Sequence, residues 1–415
     1  MTFEQLSIIA PVLKALKEEH YIEPTPIQEQ AIPLILNKKD LMGSAQTGTG
    51  KTAAFAIPIL QHLYQESNHN KNSRTIKALV ITPTRELAIQ IGESFSTYGK
   101  YTGIRNTVIY GGVSQHKQTN DIRNGVDVLV ATPGRLLDLI DQGYIHLNNI
   151  EYFVLDEADR MLDMGFIHDI RKIIAMLPAQ RQSLFFSATL PKDIIALSRK
   201  ILHNPEKVAV NPASYAAETI KHYLYYTNKS KKKELLNHIL ENKELDQVLL
   251  FSRTKHGADK ITRNLKKQNI TTAAIHGDKA QNHRQKSLKQ FKDRKVRVLV
   301  ATDIAARGID IEQLGFVINY DIPEVAETYV HRIGRSGRAG ESGTAISLCE
   351  PEENARINSI EKLIHGKIST IADNPFPQTE RPMNTHEKKQ FEKEKQRRKQ
   401  EFFANRNKSR NRKRY

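Results

Sequence analysis

Ala45-Gln-Thr-Gly-Thr-Gly-Lys51-Thr52 follows the short apolar stretch Leu41-Met42 and runs directly into the helix-like segment Ala53–Leu60. Strand, glycine loop, helix is the order in which a parallel α/β sheet cradles a phosphate. Gly48 and Gly50 let backbone N–H groups approach the anion, Lys51 can reach its outer oxygens, and the Thr52 hydroxyl at the helix N-terminus can hold Mg²⁺. Ala45 stands where such loops usually carry their first glycine, and Gln46, Thr47 and Thr49 complete the turn. A Gly-Lys-Thr after a glycine-rich turn also occurs without a ligand, so the reading rests on what surrounds it.

Working outward, short apolar, β-branched runs recur with room for a helix between them: Ala78–Thr82, Thr107–Tyr110, Val126–Ala131, Tyr152–Leu155 and Ser183–Phe186. The stretches Glu86–Tyr98 and Pro191–Leu202 between them carry apolar residues at helical spacing. Strands alternating with helices predict a mostly parallel, doubly wound sheet. The small, turn-prone segment Asn211–Glu218 interrupts the pattern, which restarts with Ile220–Tyr226, Gln247–Phe251, Thr271–Ile275, Val296–Ala301, Phe316–Asn319 and Thr344–Leu348. The expected organisation is an α/β domain over residues 1–210, a linker over 211–218, a second α/β domain over 219–370, and a polar, disordered basic tail over 371–415.

Composition narrows the function classes. The chain has 415 residues with 63 Lys+Arg against 46 Asp+Glu, a formal charge of +17, and 39% hydrophobic content, enough for a core in each of two or three domains. One cysteine, Cys349, closes no intramolecular disulfide and starts no zinc ribbon, which points to a reducing, cytoplasmic compartment. The N-terminus lacks the basic and apolar regions of a signal peptide, and the apolar run Ala53–Leu60 is broken by Pro58, so neither secretion nor membrane spanning is expected. The positive surplus points to a polyanion, but it is unevenly placed. Arg381–Tyr415 contains 14 Lys/Arg and four Glu, a net +10, leaving 49 − 42 = +7 for the preceding 380 residues.

Two further strings carry chemistry. Tyr152–Leu155 delivers Asp156-Glu157-Ala158-Asp159 to the C-terminal edge of the sheet, where ligands of parallel sheets bind. Asp156 suits a water-mediated Mg²⁺ contact and Glu157 the group that polarises an attacking water; alone, the run would read as an acidic helix N-cap. His331-Arg-Ile-Gly-Arg-Ser-Gly-Arg338 spaces Arg332, Arg335 and Arg338 so that their guanidinium groups can crowd onto one anion, and Gly334 and Gly337 argue against a plain surface helix. Ala301–Asp310 leaves another strand end with polar groups.

Taken together these strings resemble the DEAD-box RNA helicases of superfamily 2. The resemblance runs from about Phe3 to about Leu363, through the Q motif (residues 20–28, including Tyr21-Ile-Glu-Pro-Thr-Pro-Ile-Gln28), the phosphate loop, Pro83-Thr-Arg-Glu-Leu-Ala88, Gly111-Gly112, Thr132-Pro-Gly-Arg135, Asp156–Asp159, Ser187-Ala-Thr189, Phe251-Ser-Arg253, the 301–310 segment and the 331–338 segment. The wording around them is most similar to the bacterial RhlE type. The resemblance implies two tandem recA-like domains and an RNA-stimulated, Mg²⁺-dependent ATPase that unwinds short duplexes or remodels ribonucleoproteins.

It also implies roles. Gln28 reads adenine, with Tyr21 or Phe3 stacking and Thr25 supporting the loop; His20 replaces the glycine usual at the start of that motif. Gly48, Gly50, Lys51 and Thr52 hold phosphates and metal, Asp156 and Glu157 serve Mg²⁺ and water, Asp310 contacts the ribose, and Arg335 and Arg338 act as arginine fingers. Ser187 and Thr189 transmit nucleotide state, with His331 bridging to them or to RNA. RNA contacts fall on Pro83, Thr84, Arg85, Gly112, Gly134, Arg135, Arg253, Gly277, Arg284 and Thr302, groups suited to phosphates and 2′-hydroxyls and carrying no base code. The implied partner is RNA with little sequence preference, in ribosomal or RNA-decay complexes, with a monomeric protein. A DNA-directed helicase and an ATP-gated RNA clamp or annealing scaffold remain as rival readings. The histidines His276, His283 and His331 lack metal-site spacing, and the basic tail reads as an RNA-binding arm or a solvated solubility tail.

Overall fold

The computed structural model describes residues 1–45, 49–66, 74–210, 220–306, 314–336 and 343–384, together with residues 387, 390, 393 and 397. Gln46, Thr47, Gly48, Asp310, Arg338, the expected linker and most of the tail lie outside them.

Two parallel sheets organise the chain. The first contains β1 (Leu41–Ser44), β2 (Ala78–Ile81), β3 (Asn106–Ile109), β4 (Val128–Ala131), β5 (Tyr152–Leu155), β6 (Gln182–Ser187) and β7 (Glu206–Ala209), in the order β3-β4-β2-β5-β6-β1-β7. The second contains β8 (Ile220–Tyr226), β9 (Val248–Phe251), β10 (Thr272–Ile275), β11 (Val298–Ala301), β12 (Phe316–Asn319), β13 (Gly343–Cys349) and β14 (Ser369–Thr370), in the order β10-β11-β9-β12-β13-β8-β14. The permutation is the same in both, strand for strand.

The near-continuous apolar strands explain this arrangement, because helices cover both faces of such sheets. Alternate residues of one strand feed separate cores. Val80, Val128 and Val154 pack on one side of the first sheet, whereas Leu79, Leu129 and Phe153 pack on the other. In the second sheet Leu250 and Val300 lie on one side and Leu249 and Leu299 on the other. Corresponding strands also end alike: Thr84, after β2, accepts from Leu87 N at 3.3 Å, and Thr254, after β9, accepts from Gly257 N at 3.0 Å, each hydroxyl satisfying a donor of a helix N-terminus.

Three features differ from the sequence reading. The strands β7 and β14, each at one edge of its sheet, were not expected. Both are mostly exposed, so neither carries the apolar run that marks its neighbours. The expected tail does not begin at residue 371. Ile371 N donates to Leu224 O (2.9 Å) and Gln378 N to Tyr226 O (3.0 Å), while Phe376 packs against the same apolar core as Tyr223, Tyr225 and Tyr320. The Asn228 side chain donates to Thr379 Oγ1 at 2.6 Å and accepts from Thr379 N and Glu380 N at 3.0 Å each; Met383 N donates to Glu352 Oε1 at 2.5 Å. Residues 371–383 therefore strap across the C-terminal edge of the second sheet.

The third difference is Arg332. Its guanidinium is buried and bidentate on Asp303 (2.6 and 2.9 Å), with further bonds to Asn319 Oδ1 (3.1 Å) and Asp321 O (2.6 Å). It braces the second domain and does not join Arg335 on a shared anion.

A buried charge cluster lies beneath the strap. Lys232 opens the helix after β8, as Lys51 opens the helix after β1. Its ammonium donates to Tyr320 O and Glu353 Oε2, both at 2.8 Å, and stands 3.7 Å from Asp321 Oδ1. Arg253 pairs with the other oxygen of Glu353.

Candidate active site and nucleic-acid interface

The loops that leave β1, β2, β4, β5 and β6 share one edge of the first sheet. After β1, Lys51 is buried and donates from Nζ to Ala45 O at 2.6 Å. The Q-motif helix Pro26–Leu36 supports this loop from outside. Thr25 N donates to Gln28 Oε1 at 2.9 Å, closing a capping box, while Gln28 Nε2 donates to Gly50 O at 3.1 Å and Thr25 Oγ1 to Thr49 O at 2.8 Å. Gly50 has φ +95°, and a Cβ there would collide with the Gln28 amide nitrogen and stand 2.8 Å from Thr25 Oγ1. His20 takes the left-handed backbone, φ +57°, that a glycine would adopt without strain.

The two aromatic candidates for stacking separate. Phe3 is buried in the first core, whereas Tyr21 is 39% exposed. Their ring centroids lie 6.3 Å apart, and Tyr98 supports Tyr21 edge-on, donating from its hydroxyl to Tyr21 Oη at 3.1 Å. Tyr21 thus offers an open ring face, and Phe3 backs it.

After β5, Asp156 is buried, and its Oδ1 accepts from Glu157 N at 2.9 Å. Burial raises its carboxyl to about 6, against the pull of Lys51 and with the help of the neighbouring Glu157 charge. Glu157 has a left-handed backbone, φ +56°, and its carboxylate pairs with Arg160 one helical turn on. Asp159 turns the other way. Its Oδ2 accepts from Thr189 N (2.9 Å) and Thr189 Oγ1 (3.0 Å), while Ser187 Oγ accepts from Asp159 N (3.3 Å) and donates to Thr189 O (2.7 Å). Ser187 and Thr189 are therefore wired to the loop after β5. His331 of the second domain reaches the same place: burial pushes its imidazole down to about 4, aided by Arg160 and Arg335 and opposed by Asp159 and Glu157. Arg335 is buried there too.

Among the described residues no group of three or more His, Cys, Asp or Glu could hold a metal ion. Thr52 and Asp156 supply a hydroxyl and a carboxylate beside a phosphate loop. Those oxygen donors fit Mg²⁺, which takes one or two carboxylates and completes its shell from phosphates and water.

The expected RNA contacts form two groups. Arg85, Gly112 and Arg284 come together: Gly112 has φ +79° and leaves room for the Arg85 guanidinium, whose Nη1 donates to Gln281 Oε1 at 3.3 Å. Burial and the nearby Arg284 lower the Arg85 pKa. Arg284 donates to Glu86 Oε1 at 2.9 Å, and Gln281 Nε2 donates to the same oxygen at 2.9 Å. Arg135 braces the adjoining loop through Val113 O (3.2 Å) and Gln118 Oε1 (3.3 Å). Gly134 and Gly277 have open space where a side chain would stand, so backbone amides are approachable there. Pro83 is buried and Thr302 half-buried at their strand ends. Thr84 is committed to its helix cap and Arg253 to Glu353, so neither side chain is simply waiting for a ligand.

Sequence reasoning missed Glu86, Gln281 and Arg160. Gln281 and Arg284 lie three apart on one helix, hence on one face, which was the available signal; that Glu86 receives both is a contact between domains.

Comparison with known proteins agrees with this geometry. A DEAD/DEAH box helicase model matches residues 25–197, and a helicase conserved C-terminal domain model matches residues 231–340. The chain is similar to the DEAD-box ATP-dependent RNA helicase RhpA of Helicobacter pylori (strain ATCC 700392 / 26695), with 42% identity over 383 residues, 91% of this chain and 76% of that protein. It is 40% identical over 370 residues to the DEAD-box ATP-dependent RNA helicase CshA of Geobacillus kaustophilus, covering 89% of this chain and 78% of that one. Among solved structures, S. cerevisiae Dbp5 bound to RNA and ADP BeF3 superposes with a TM-score of 0.79 at 30% identity, covering 89% of this chain and 95% of that one. A DEAD box protein from Methanococcus jannaschii gives 0.53 at 37% identity, covering 89% and 99%. These matches carry the family and leave the RhlE type without specific support. With both family models met in order and relatives of 40–42% identity covered over most of their length, the chain belongs to the DEAD-box family of ATP-dependent RNA helicases.

Proposed function

We propose that this helicase separates short RNA duplexes locally, by closing its two domains over ATP and one RNA strand. The observation that carries this reading is the junction at Glu86, where Gln281 and Arg284 of the second domain meet the first turn of the helix after β2, beside Arg85 and Gly112. The arrangement also superposes well on Dbp5 bound to RNA and ADP BeF3, which supports a closed state as the one that handles both ligands. Closure then completes the catalytic site.

In this reading Tyr21 stacks on adenine and Gln28 reads its edge. Gly48, Gly50, Lys51 and Thr52 hold the phosphates, with Ala45, Gln46, Thr47 and Thr49 shaping the loop and Asp310 contacting the ribose. Glu157 orients the water that attacks the γ-phosphorus as the bond to the ADP oxygen breaks, and Arg335 and Arg338 stabilise the charge that spreads over the transferred group. Thr52 and Asp156 would hold Mg²⁺, which supplies neutralisation of phosphate charge when bound. Ser187, Thr189 and His331 couple the nucleotide loop to the second domain. Arg85, Gly112, Gly134, Arg135, Gly277, Arg284 and Thr302 track the RNA backbone, so base sequence matters little. The basic tail adds phosphate contacts. No described helix is long and apolar enough to cross a membrane, and a monomeric protein in the cytoplasm, serving ribosomal or RNA-decay complexes, fits the single-thiol composition and the RNA partner.

The test is unwinding rate against duplex length, with RNA and DNA compared as activators of ATP hydrolysis. Local separation predicts a rate that falls steeply as the duplex lengthens, with RNA the better activator. A rate that barely changes with length, or equal activation by DNA, overturns the reading.

A further inference from the structure

The DEAD-box segment ends in an ion pair that the roles above do not use. Arg160 and Glu157 are joined side chain to side chain, each only 3% exposed. Glu157 is the N-cap of the helix Ala158–Asp163, and its left-handed backbone aims the chain so that Arg160 comes round beneath it one turn later. The pair is therefore fixed by local geometry. Such a pair is poorly explained by fold stability, because a buried ion pair commonly does no better than apolar side chains of similar size.

Its surroundings suggest another use. Asp159, between the two partners in sequence, is held by Thr189 N and Oγ1. His331, from the second domain, lies near enough to feel the charges of Arg160, Asp159, Arg335 and Glu157. Arg160 thus stands where the Glu157 carboxylate, the loop after β6 and the second domain meet.

We infer that Arg160 is a positioning residue for ATP hydrolysis, fixing the Glu157 carboxylate at the seam where the second domain arrives. This rests on the reading that Glu157 orients the attacking water. A carboxylate on two rotatable carbons has several rotamers, and displacement of a reacting group by about 1 Å can cost on the order of 100-fold in rate. The guanidinium removes that freedom by holding the carboxylate directly. The hold comes from within the first domain, and because the Arg160 charge also reaches His331 of the second domain, the carboxylate is fixed on the side that the second domain approaches.

The test uses the full chain with saturating RNA and compares R160Q, R160K, E157Q and the R160Q/E157Q double variant, with thermal melts of each. Positioning predicts that R160Q lowers kcat by about 10-fold or more while KM for ATP moves less than about 3-fold, and that R160K recovers part of the loss. It also predicts that R160Q costs less than about 2-fold once Glu157 is already Gln, because residues acting as a unit are not additive. Wild-type kcat in R160Q, a defect confined to KM, or full additivity with E157Q overturns the inference. If R160Q fails to fold, R160K decides the matter through the same split of kcat against KM, its overturning results being the same. Wild-type kcat in E157Q alone instead overturns the water-orienting role of Glu157.

Discussion

Arg284 of the second domain places Nη2 2.9 Å from Oε1 of Glu86 in the first, and the same oxygen receives Gln281 Nε2 at 2.9 Å. Both charged side chains are largely buried, at 12% and 5% exposure, and the pair exists only while the domains meet. Removing one partner leaves the other buried and uncompensated, a cost of about 3–5 kcal/mol that falls on the closed arrangement and spares each domain by itself. R284M should therefore lower RNA-stimulated ATP turnover by about 100-fold or more by that estimate, with RNA-free turnover and the melting temperature nearly unchanged. Turnover against RNA concentration, alongside a thermal melt, checks this; a normal RNA-stimulated rate would show that the junction contributes nothing to closure.

Gly50→Ala should impair ATP binding without unfolding the domain. The position has φ +95°, and the added methyl would meet both Gln28 and Thr25, so the phosphate loop and the Q-motif helix have to separate. We expect at least about a 10-fold loss of affinity, corresponding to about 1.4 kcal/mol. Titration with a fluorescent ATP analogue measures it, and Q28A should add little in the G50A background because the same interaction is already broken.

His331 has a definite acid signature. Its folded-state pKa lies near 4, below the ordinary 6.5, so the unfolded chain takes up a proton first as pH falls. The stability it contributes is fully present above pH 6.5 and is lost between pH 6.5 and 4. The melting temperature of the wild type should consequently fall more steeply over that interval than that of H331Q. An imidazole resonance assigned to His331 that titrates near 6.5 would contradict the buried environment.

Two truncations separate the strap from the basic segment. Residues 385–415 hold 13 Lys/Arg and four Glu, 13 − 4 = +9. Ending the chain at Asn384 should weaken RNA binding and flatten its salt dependence by about 0.7 in log–log slope for each phosphate that the tail no longer neutralises, with the melting temperature retained. Ending it at Ala372 also removes the Phe376 packing and the Asn228 bonds to Thr379 and Glu380 and should lower the melting temperature of the second domain. Equal salt slopes for the Asn384 truncation and the full chain would argue against phosphate binding by the tail.

Much of this was legible because the signals are local. Val-Leu-Val-Ala occurs at residues 128–131 and again at 298–301, and both are fully buried interior strands. The phosphate loop and the Asp156–Asp159 run announce themselves by residue type and spacing. What escaped is of two kinds. The strands β7 and β14 are short, exposed edges with little apolar pattern to read, and the strap is a polar segment held mainly by hydrogen bonds to Tyr226, Thr227 and Asn228. The other kind is pairing across long sequence separation. Arg332 has the spacing of a ligand arginine, yet Asp303 neutralises it from within the domain, and Glu86 reads as one more acid on a helix until the fold brings Arg284 to it. A charged residue's role depends on its partner, and spacing does not reveal a partner about two hundred residues away.

The repeated strand order has a last consequence at Lys232. In the first sheet the lysine that opens the helix after β1 is held by a backbone carbonyl, Ala45 O, and is left for an anion from outside in the reading proposed above. In the second, the lysine at the matching place is neutralised from within by Glu353, with Asp321 standing past β12 as Asp156 stands past β5. The duplicated fold thus carries its own permanent occupant in one of its two equivalent berths. One triphosphate per chain is then the expected stoichiometry, with the second domain bringing side chains such as Arg335 to a nucleotide held by the first.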